Sequence, residues 1–190
     1  YCDEIDPAAA SIGSVNTLVR RDGKLIGYNT DIDGFLYMLR RAGISLKGKK
    51  VVILGSGGAS LTAQAAARME KARQVVVVSR TGEDNYETLP EHHGDAEVLV
   101  NATPVGMWPH MEGAPLDLRL LPSLTAVADV IYNPRRTNLL LQAEEIGHWL
   151  WTPRGTSESG GRILRRTGGL PMLAAQAKRA EELFFDKAIP

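Results

Sequence analysis

The feature that most constrains the fold is a run of four apolar residues, 51–54, that leads directly into a glycine-rich turn. A short continuous apolar run is typical of a strand that is buried on both faces of a parallel sheet. The turn reads Gly55-x-Gly57-x-x-Ser60, and the alanine-rich stretch after it predicts a helix over residues 60–71. A strand, a glycine turn and a helix in this order predict the first unit of a doubly wound α/β domain.

After this unit, strand and helix patterns alternate towards the end of the chain. The alternation favours an open parallel sheet with helices on both faces. Residues 83–94 are few and polar, so we expect one strand–helix unit to be shortened or lost there. The further predicted strands cover residues 74–79, 97–101, 126–132 and 149–152, and the further predicted helices cover residues 138–146, with Gly147 as the stop, and 170–185.

The first part of the chain does not follow this alternation. Residues 14–20 alternate between apolar and polar side chains, and residues 24–28 form a second short run. The dipeptide Asp22-Gly23 between them suits a tight hairpin turn. Residues 31–42 then have the spacing of an amphipathic helix. We therefore expect the end of a separate domain, followed by a connecting helix.

Composition argues against several classes of function. Basic and acidic residues both number 22, so the formal net charge is zero, which argues against nucleic-acid or membrane-surface partners. No apolar run approaches the roughly 18 residues of a membrane span. Cys2 is the only cysteine, so we expect no disulfide, no cysteine-based zinc site and a reducing compartment, the cytoplasm. The adjacent His92 and His93 lack a third metal ligand, and we expect both on the surface with no metal.

The glycine turn has the properties of a phosphate site. Gly55 can adopt the backbone angles of a tight strand-to-helix turn, and Gly57 has no side chain to keep a pyrophosphate away. The helix that follows offers unpaired N–H groups and a partial positive charge at its first turn. We therefore expect a dinucleotide to contact Gly55, Ser56, Gly57, Gly58 and Ala59. The alternative is a structural turn whose glycines serve packing alone.

The end of the second predicted strand favours NADP over NAD. An NAD site usually places an acidic residue about 20 residues after the glycines, where it binds the ribose hydroxyls. Here the sequence is Ser79-Arg80-Thr81, with no acid. An arginine with two hydroxyls suits a 2′-phosphate. The alternative is that Arg80 is a solvated strand end.

Beside these two sites, several blocks resemble shikimate dehydrogenase. They stand in the family's order and cover the chain from end to end. The blocks are residues 14–18, 27–31 with Gly34-Phe35, 55–60, 79–81, 101–107, 129–134 with Thr137, and 169–173 with Gln176-Ala177.

The resemblance implies reversible, NADP-dependent reduction of 3-dehydroshikimate to shikimate, a step of aromatic amino-acid biosynthesis. It implies a Rossmann-like doubly wound sheet with helices on both faces, preceded by the C-terminal remnant of an N-terminal α/β substrate domain. We expect residues 1–46 to end that domain, residues 47–168 to form the NADP-binding domain and residues 169–190 to return to the first. The implied partners are small molecules only, with the chain a monomer or a homodimer.

The resemblance also implies roles for single residues. Asn16 and Asp31 would contact substrate hydroxyls, Tyr132 would lie near the reacting centre, and Gln176 would reach the substrate from the last helix. The family pairs a catalytic lysine with an aspartate, and Asp31 matches the aspartate. Besides residues 55–59 and 79–81, the implied cofactor contacts are Asn101, Thr103, Pro104, Val130, Gly169 and Met172.

One departure from the family bears on activity. The family's lysine lies upstream of the segment that holds Asn16, and none of the 15 residues before Asn16 is a lysine. We therefore expect a chain that binds NADP but turns over shikimate negligibly. Two other functions stay open: a relative that acts on quinate with NAD, and a non-catalytic module that senses NADPH. Asp31 itself has a plain alternative as the N-cap of the following helix.

Overall fold

The computed structural model describes residues 1–149 and 164–190, which form two β-sheets with helices packed around them. The strands are β1 (Glu4–Ile5), β2 (Thr17–Arg21), β3 (Lys24–Tyr28), β4 (Lys50–Leu54), β5 (Gln74–Val78), β6 (Val98–Asn101), β7 (Ala126–Asp129) and β8 (Arg165–Thr167). The helices are α1 (Pro7–Ile12), α2 (Asp31–Arg41), α3 (Gly58–Met69), α4 (Leu89–His93), α5 (Asn138–Trp149) and α6 (Leu170–Phe185), with a 3₁₀ turn at Leu118–Leu120.

The small sheet has the strand order β1-β3-β2. Strands β2 and β3 form the expected hairpin, whose turn residues Asp22 and Gly23 have φ angles of 50° and 80°. Two positive φ angles match the right-handed twist of the flanking strands. Thr17 and Val19 point inward and are buried, as the alternating pattern predicts. The pattern gave no sign of β1, a two-residue strand that pairs in parallel with β3.

The larger sheet is parallel and has the order β5-β4-β6-β7-β8, which confirms the doubly wound prediction. All five residues of β4 are buried. Val51 and Ile53 belong to one apolar cluster, and Val52 and Leu54 belong to the other. Because successive strand residues point to opposite faces, a strand covered on both sides is favoured by a continuous apolar run, here residues 51–54.

The strand order creates a crevice at one edge of the sheet. The chain runs from β4 to β5 on one side and then returns to β6 on the other side of β4. In doubly wound folds, ligands bind at this reversal, outside the carboxyl ends of the two strands. The return from β5 to β6 contains only the five-residue helix α4, so the expected shortening of one unit is confirmed.

Two elements differ from the sequence prediction. Helix α5 continues through Gly147 to Trp149, so the predicted stop is wrong. One glycine costs a helix only about 1 kcal/mol, which buried side chains on the same helix can offset. Trp149 is therefore helical rather than the start of a strand, and the rest of the predicted strand 149–152 lies outside the described residues. The fifth strand of the large sheet is β8, in which Arg165 and Arg166 do not form the apolar run that predicts a strand.

Helix α6 returns across the chain to pack against α2. The contact is close because Gly34 has no side chain: a Cβ there would lie 2.6 Å from the carbonyl oxygen of Met172. At the other end of α6, Arg21 of β2 binds the carbonyl oxygen of Leu183 at 3.0 Å and the carboxylate of Asp186 at 2.8 Å. In the described ranges no helix has the length and apolar character that a membrane crossing requires.

An ionic cluster closes the amino edge of the large sheet. Glu97 binds Lys49 at 2.8 Å and Arg73 at 3.2 Å, and the buried Lys50 pairs with Asp95. The Lys49 ammonium is the main cause that lowers the pKa of Glu97, to about 2 from 4.5. This cluster lies at the opposite end of the strands from the crevice.

The first testable prediction concerns Gly169, which precedes α6. A Cβ on Gly169 would lie 1.9 Å from the carbonyl oxygen of Val130, so Gly169→Ala must displace backbone. We expect a loss of about 3 kcal/mol in the free energy of unfolding, measured by urea denaturation. Gly147→Ala is the matched control, since no described atom lies within 4 Å of its new Cβ. It should stabilise helix α5 by about 0.5–1 kcal/mol, and equal losses in both variants would contradict the clash.

The second prediction concerns acid stability. Because folding lowers the pKa of Glu97, its contribution is complete above the ordinary value of 4.5 and is lost as the pH falls towards about 2. Glu97→Gln should remove this part of the pH dependence, and Lys49→Met should reduce it. The measurement is urea denaturation at a series of acidic pH values. If the free energy of unfolding has the same slope against pH in Glu97→Gln and in the unsubstituted chain, the ion pairs contribute nothing to acid stability.

Candidate functional site

The glycine turn between β4 and α3 lies at the crevice. Gly55 has φ = 100°, a left-handed conformation that side chains disfavour. A Cβ there would also lie 2.9 Å from the carbonyl oxygen of Ala102, which follows β6. Gly55 therefore serves both the turn and the close approach of the two strand ends that border the crevice.

Helix α3 opens directly onto this space. Gly57 is its N-cap and forms no side-chain cap, so the first N–H groups of the helix stay available to a ligand. A Cβ on either Gly57 or Gly58 would meet no described atom within 4 Å. Ser56 is exposed and Ala59 is half-buried, whereas Ser60 is fully buried and accepts a hydrogen bond from Gln64 at 3.2 Å. An open, uncapped helix end is suited to bind an anion.

The segment Ser79-Arg80-Thr81 follows β5 at the same edge of the sheet. The N–H of Ser79 donates to the carbonyl oxygen of Asp84 at 3.2 Å, which closes a short loop. Arg80 and Thr81 are exposed, and Arg80 has no carboxylate partner within the described ranges. An unpaired guanidinium beside an open helix end is suited to bind a phosphate group.

Asn101 is fully buried rather than open to a ligand. Its amide nitrogen donates to Asp129 at 3.1 Å, and its oxygen accepts from the N–H and hydroxyl of Thr103 at 3.0 and 2.7 Å. The side chain of Asn101 thus holds the turn that carries Thr103 and Pro104, and a cofactor contact by Asn101 stays a prediction. Thr103 and Pro104 lie on that turn, beside Gly55.

A buried carboxylate anchors this network. Asp129 accepts hydrogen bonds from Asn101, from the N–H of Ile131 at 3.0 Å and from the hydroxyl of Thr137 at 2.6 Å. Burial raises the pKa of Asp129, and the three donors oppose that rise, with Thr137 the strongest. The network joins the carboxyl ends of β6 and β7 to the start of α5.

A second polar cluster forms where the small sheet meets α6. The side-chain oxygen of Asn16 accepts from the N–H and the hydroxyl of Thr30 at 3.0 and 3.3 Å. The same hydroxyl lies 3.4 Å from the side-chain oxygen of Gln176. Residues from the start of β2, the start of α2 and the middle of α6 are therefore brought together.

Asp31 lies in this cluster and is half-buried. Burial raises its pKa, and a hydrogen bond from Asn16 opposes the rise. Asp31 is the first residue of α2, whose N-cap is Thr30, so the alternative that Asp31 is the N-cap is wrong. Asp31 forms no ion pair with a lysine in the part of the chain that the structure describes.

The start of α6 joins the two halves of the site. The N–H of Gly169 donates to the carbonyl oxygen of Ile131 at 2.9 Å, just after β7. Gly169 also lies against Val130, and Met172 one turn later approaches Gly34 of α2. Tyr132 is half exposed at the same strand end.

Sequence reasoning missed several residues that organise these clusters. Thr30 and Thr137 are buried, and both stand inside the blocks of the resemblance, but no role was expected of either. His93 was expected on the surface, but its side chain is only 12% exposed and binds Asp84 at 2.9 Å. No sequence signal pointed to that pair. No group of three metal-binding side chains occurs within the described residues.

The parallel sheet, its reversal crevice and the glycine turn define a doubly wound α/β protein of the dinucleotide-binding kind. No family model matches the chain. The chain is 39% identical to the "Shikimate dehydrogenase (NADP(+))" of Bacillus cereus strain B4264, with 77% of this chain and 60% of that protein aligned. The chain thus spans about 60% of the length of the curated relatives it matches.

Solved structures agree over nearly the whole chain. A chorismate mutase/shikimate 5-dehydrogenase fusion protein from Clostridium acetobutylicum matches with a TM-score of 0.84 and 31% identity, covering 99% of this chain and 66% of that one. Shikimate 5-dehydrogenase from Thermus thermophilus, in complex with NADP(H) and shikimate, matches with a TM-score of 0.77 and 32% identity, covering 100% and 69%. The chain belongs to the shikimate dehydrogenase family.

The buried network yields the third prediction. Asn101→Ala removes one of the three donors to the buried Asp129 and both hydrogen bonds that Thr103 donates to Asn101, and we expect a loss of about 2 kcal/mol in the free energy of unfolding. Asp129→Asn should cost less, because the Thr137 hydroxyl can reverse its role and accept from the new amide. Thermal and urea denaturation measure both. A smaller loss for Asn101→Ala than for Asp129→Asn would contradict this account.

Proposed function

We propose that the chain binds NADP in the crevice and contributes part of the substrate site for the reversible conversion of 3-dehydroshikimate to shikimate. The observation that carries the proposal is the polar cluster of Asn16, Thr30, Asp31 and Gln176, which adjoins the cofactor crevice through the first turn of α6. A protein that only binds a nucleotide has no need of this cluster. The name of the Bacillus cereus relative and the ligands of the Thermus thermophilus structure support both ligands.

The cofactor assignment rests on two features of the crevice. The open end of α3 suits the pyrophosphate, because its N–H groups are uncapped and its dipole attracts negative charge. Arg80, exposed on the neighbouring loop, suits the 2′-phosphate that distinguishes NADP from NAD. We assign Thr103, Pro104, Val130, Gly169 and Met172 to the nicotinamide side. When bound, the cofactor supplies the hydride that the reaction transfers.

Asp31 is assigned two tasks in the substrate site. Its carboxylate can accept a hydrogen bond from a substrate hydroxyl, and it can orient a cationic acid–base group through charge. Asn16, whose side-chain oxygen accepts from the N–H and the hydroxyl of Thr30, adjoins Asp31 and opposes the rise in the pKa of its carboxyl. Gln176 faces the same space from α6, and Tyr132 is assigned to the reacting centre.

We propose that the 190-residue polypeptide binds these ligands without measurable turnover. Proton transfer to and from the substrate oxygen requires a positioned base, and the family uses a lysine beside the aspartate. Among the described lysines, Lys24, Lys49, Lys50 and Lys178 pair with other carboxylates. A non-catalytic NADPH-binding protein is the second candidate, and the lack of a lysine paired with Asp31 among the described residues favours it.

The fourth prediction tests the proposed function by titration. NADPH should bind the chain more tightly than NADH, measured by calorimetry or by the fluorescence of the reduced nicotinamide. Arg80→Gln should weaken NADPH binding by about tenfold to a hundredfold and leave NADH within about threefold, because only NADPH carries the 2′-phosphate. Arg68→Gln, an exposed arginine at the far end of α3, is the matched control and should change neither.

Substrate binding separates the two candidate functions. Shikimate should bind in the presence of NADP and should lose affinity in Asp31→Ala. The absorbance of NADPH should show negligible reduction of 3-dehydroshikimate over the same protein concentrations. Shikimate binding that does not depend on Asp31 would contradict the proposed substrate site. Normal turnover would contradict the proposal that the polypeptide binds its ligands without reaction. Absence of NADPH binding would refute the whole proposal.

A further inference from the structure

The loop that carries Arg80 lies on an unusually short connection. Residues 79–84 follow β5 directly, and the only helix before β6 is the five-residue α4. The loop is closed by the hydrogen bond from the N–H of Ser79 to the carbonyl oxygen of Asp84. Gly82 lies beneath Ser79, whose hydroxyl would be 2.7 Å from a Cβ at that position. We call residues 79–84 the clamp loop.

The helix beneath the clamp loop is firmly held. Leu89 is 1% exposed and belongs to the apolar core on one face of the large sheet. The side-chain oxygen of Asn85 accepts from the N–H groups of Glu87 and Thr88 at 2.9 and 3.0 Å, which fixes the turn into α4. A side chain on α4 is therefore presented from a rigid base.

His93 joins that base to the clamp loop. Its side chain is 12% exposed, and its Nε2 lies 2.9 Å from the carboxylate of Asp84. A carboxylate only accepts hydrogen bonds, so Nε2 is the donor. Its Nδ1 is buried without a partner in the described part of the chain.

We propose that His93, acting through Asp84, is a positioning residue that holds the clamp loop in the conformation in which Arg80 meets the 2′-phosphate. His93 does not touch the cofactor; it sets the preference for NADPH over NADH. The inference rests on the proposed function, since it requires that the crevice bind NADP. Asp84 connects the clamp loop to α4, because its carbonyl oxygen accepts from Ser79 within the loop and its carboxylate accepts from His93 on the helix.

The expected selectivity follows from the entropy cost of ordering the clamp loop. Fixing the residues of a free loop costs conformational entropy. A loop already held by His93 does not incur this cost when the ligand binds. Only a ligand that contacts Arg80 gains from this ordering. NADPH affinity therefore depends on the contact between His93 and Asp84, whereas NADH affinity depends on the α3 helix end.

The experiment compares the dissociation constants of NADPH and NADH for a set of variants of the full chain. His93→Leu and Asp84→Ala should each weaken NADPH binding about tenfold, with NADH changed less than about twofold. His93→Gln should retain most of the preference, because the glutamine amide can donate from nearly the position of Nε2. Glu91→Gln is the matched control, an exposed position on the same helix, and should leave both constants unchanged.

Circular dichroism and thermal melting keep the result decisive. If His93→Leu fails to fold, Asp84→Ala, on the loop itself, carries the test. An unchanged NADPH-to-NADH ratio in the folded variants overturns the inference, and so does an equal loss of both ligands. A parent chain without any preference for NADPH, or one indifferent to Arg80→Gln, refutes the proposed cofactor instead. Loss of preference in His93→Leu with recovery in His93→Gln supports the positioning role.

Discussion

The architecture depends on a few places where two backbones meet with no side chain between them. Gly55 lets the turn after β4 approach the strand end at Ala102, Gly34 lets α2 approach α6, and Gly169 lets α6 begin against Val130. Each contact is closer than any side chain would permit. Together they bring the glycine turn, the β6 and β7 strand ends and the polar cluster to one edge of the molecule, so the site depends on the absence of atoms at three positions.

Charged side chains also differ between the two edges of the large sheet. At the amino edge of the large sheet, Glu97 and its basic partners form an ionic cluster in which the acidic and basic groups are paired with each other. At the carboxyl edge, Asp129 is buried and satisfied by neutral donors, while Arg80 is left exposed without a carboxylate partner among the described residues. Anions therefore meet an exposed guanidinium and an uncapped helix end at the carboxyl edge.

Much of this was predictable from local pattern. The apolar run before Gly55 predicted β4, and residues 170–185 predicted α6 with the observed ends. Strand β8 was not predictable, because Arg165 and Arg166 form an edge strand whose pairing with β7 gives it its conformation. The burial of Asn101 and of His93 depends in the same way on partners brought together by folding. The sequence therefore indicated which residues lie at the site, but it did not indicate which of them contact a ligand and which support a loop.

The return of α6 has a consequence for how the protein is made. Its contacts with α2 and β2 join residues far apart in sequence, and Arg21 binds Leu183 across 162 positions. Contacts of such long range form late, since the intervening chain must first be ordered. On the ribosome, strands β4 to β7 can assemble while α6 is still inside the exit tunnel, but the cluster around Asp31 cannot. A nascent chain should therefore form the crevice at the glycine turn before the polar cluster around Asp31, because that cluster includes Gln176 of α6.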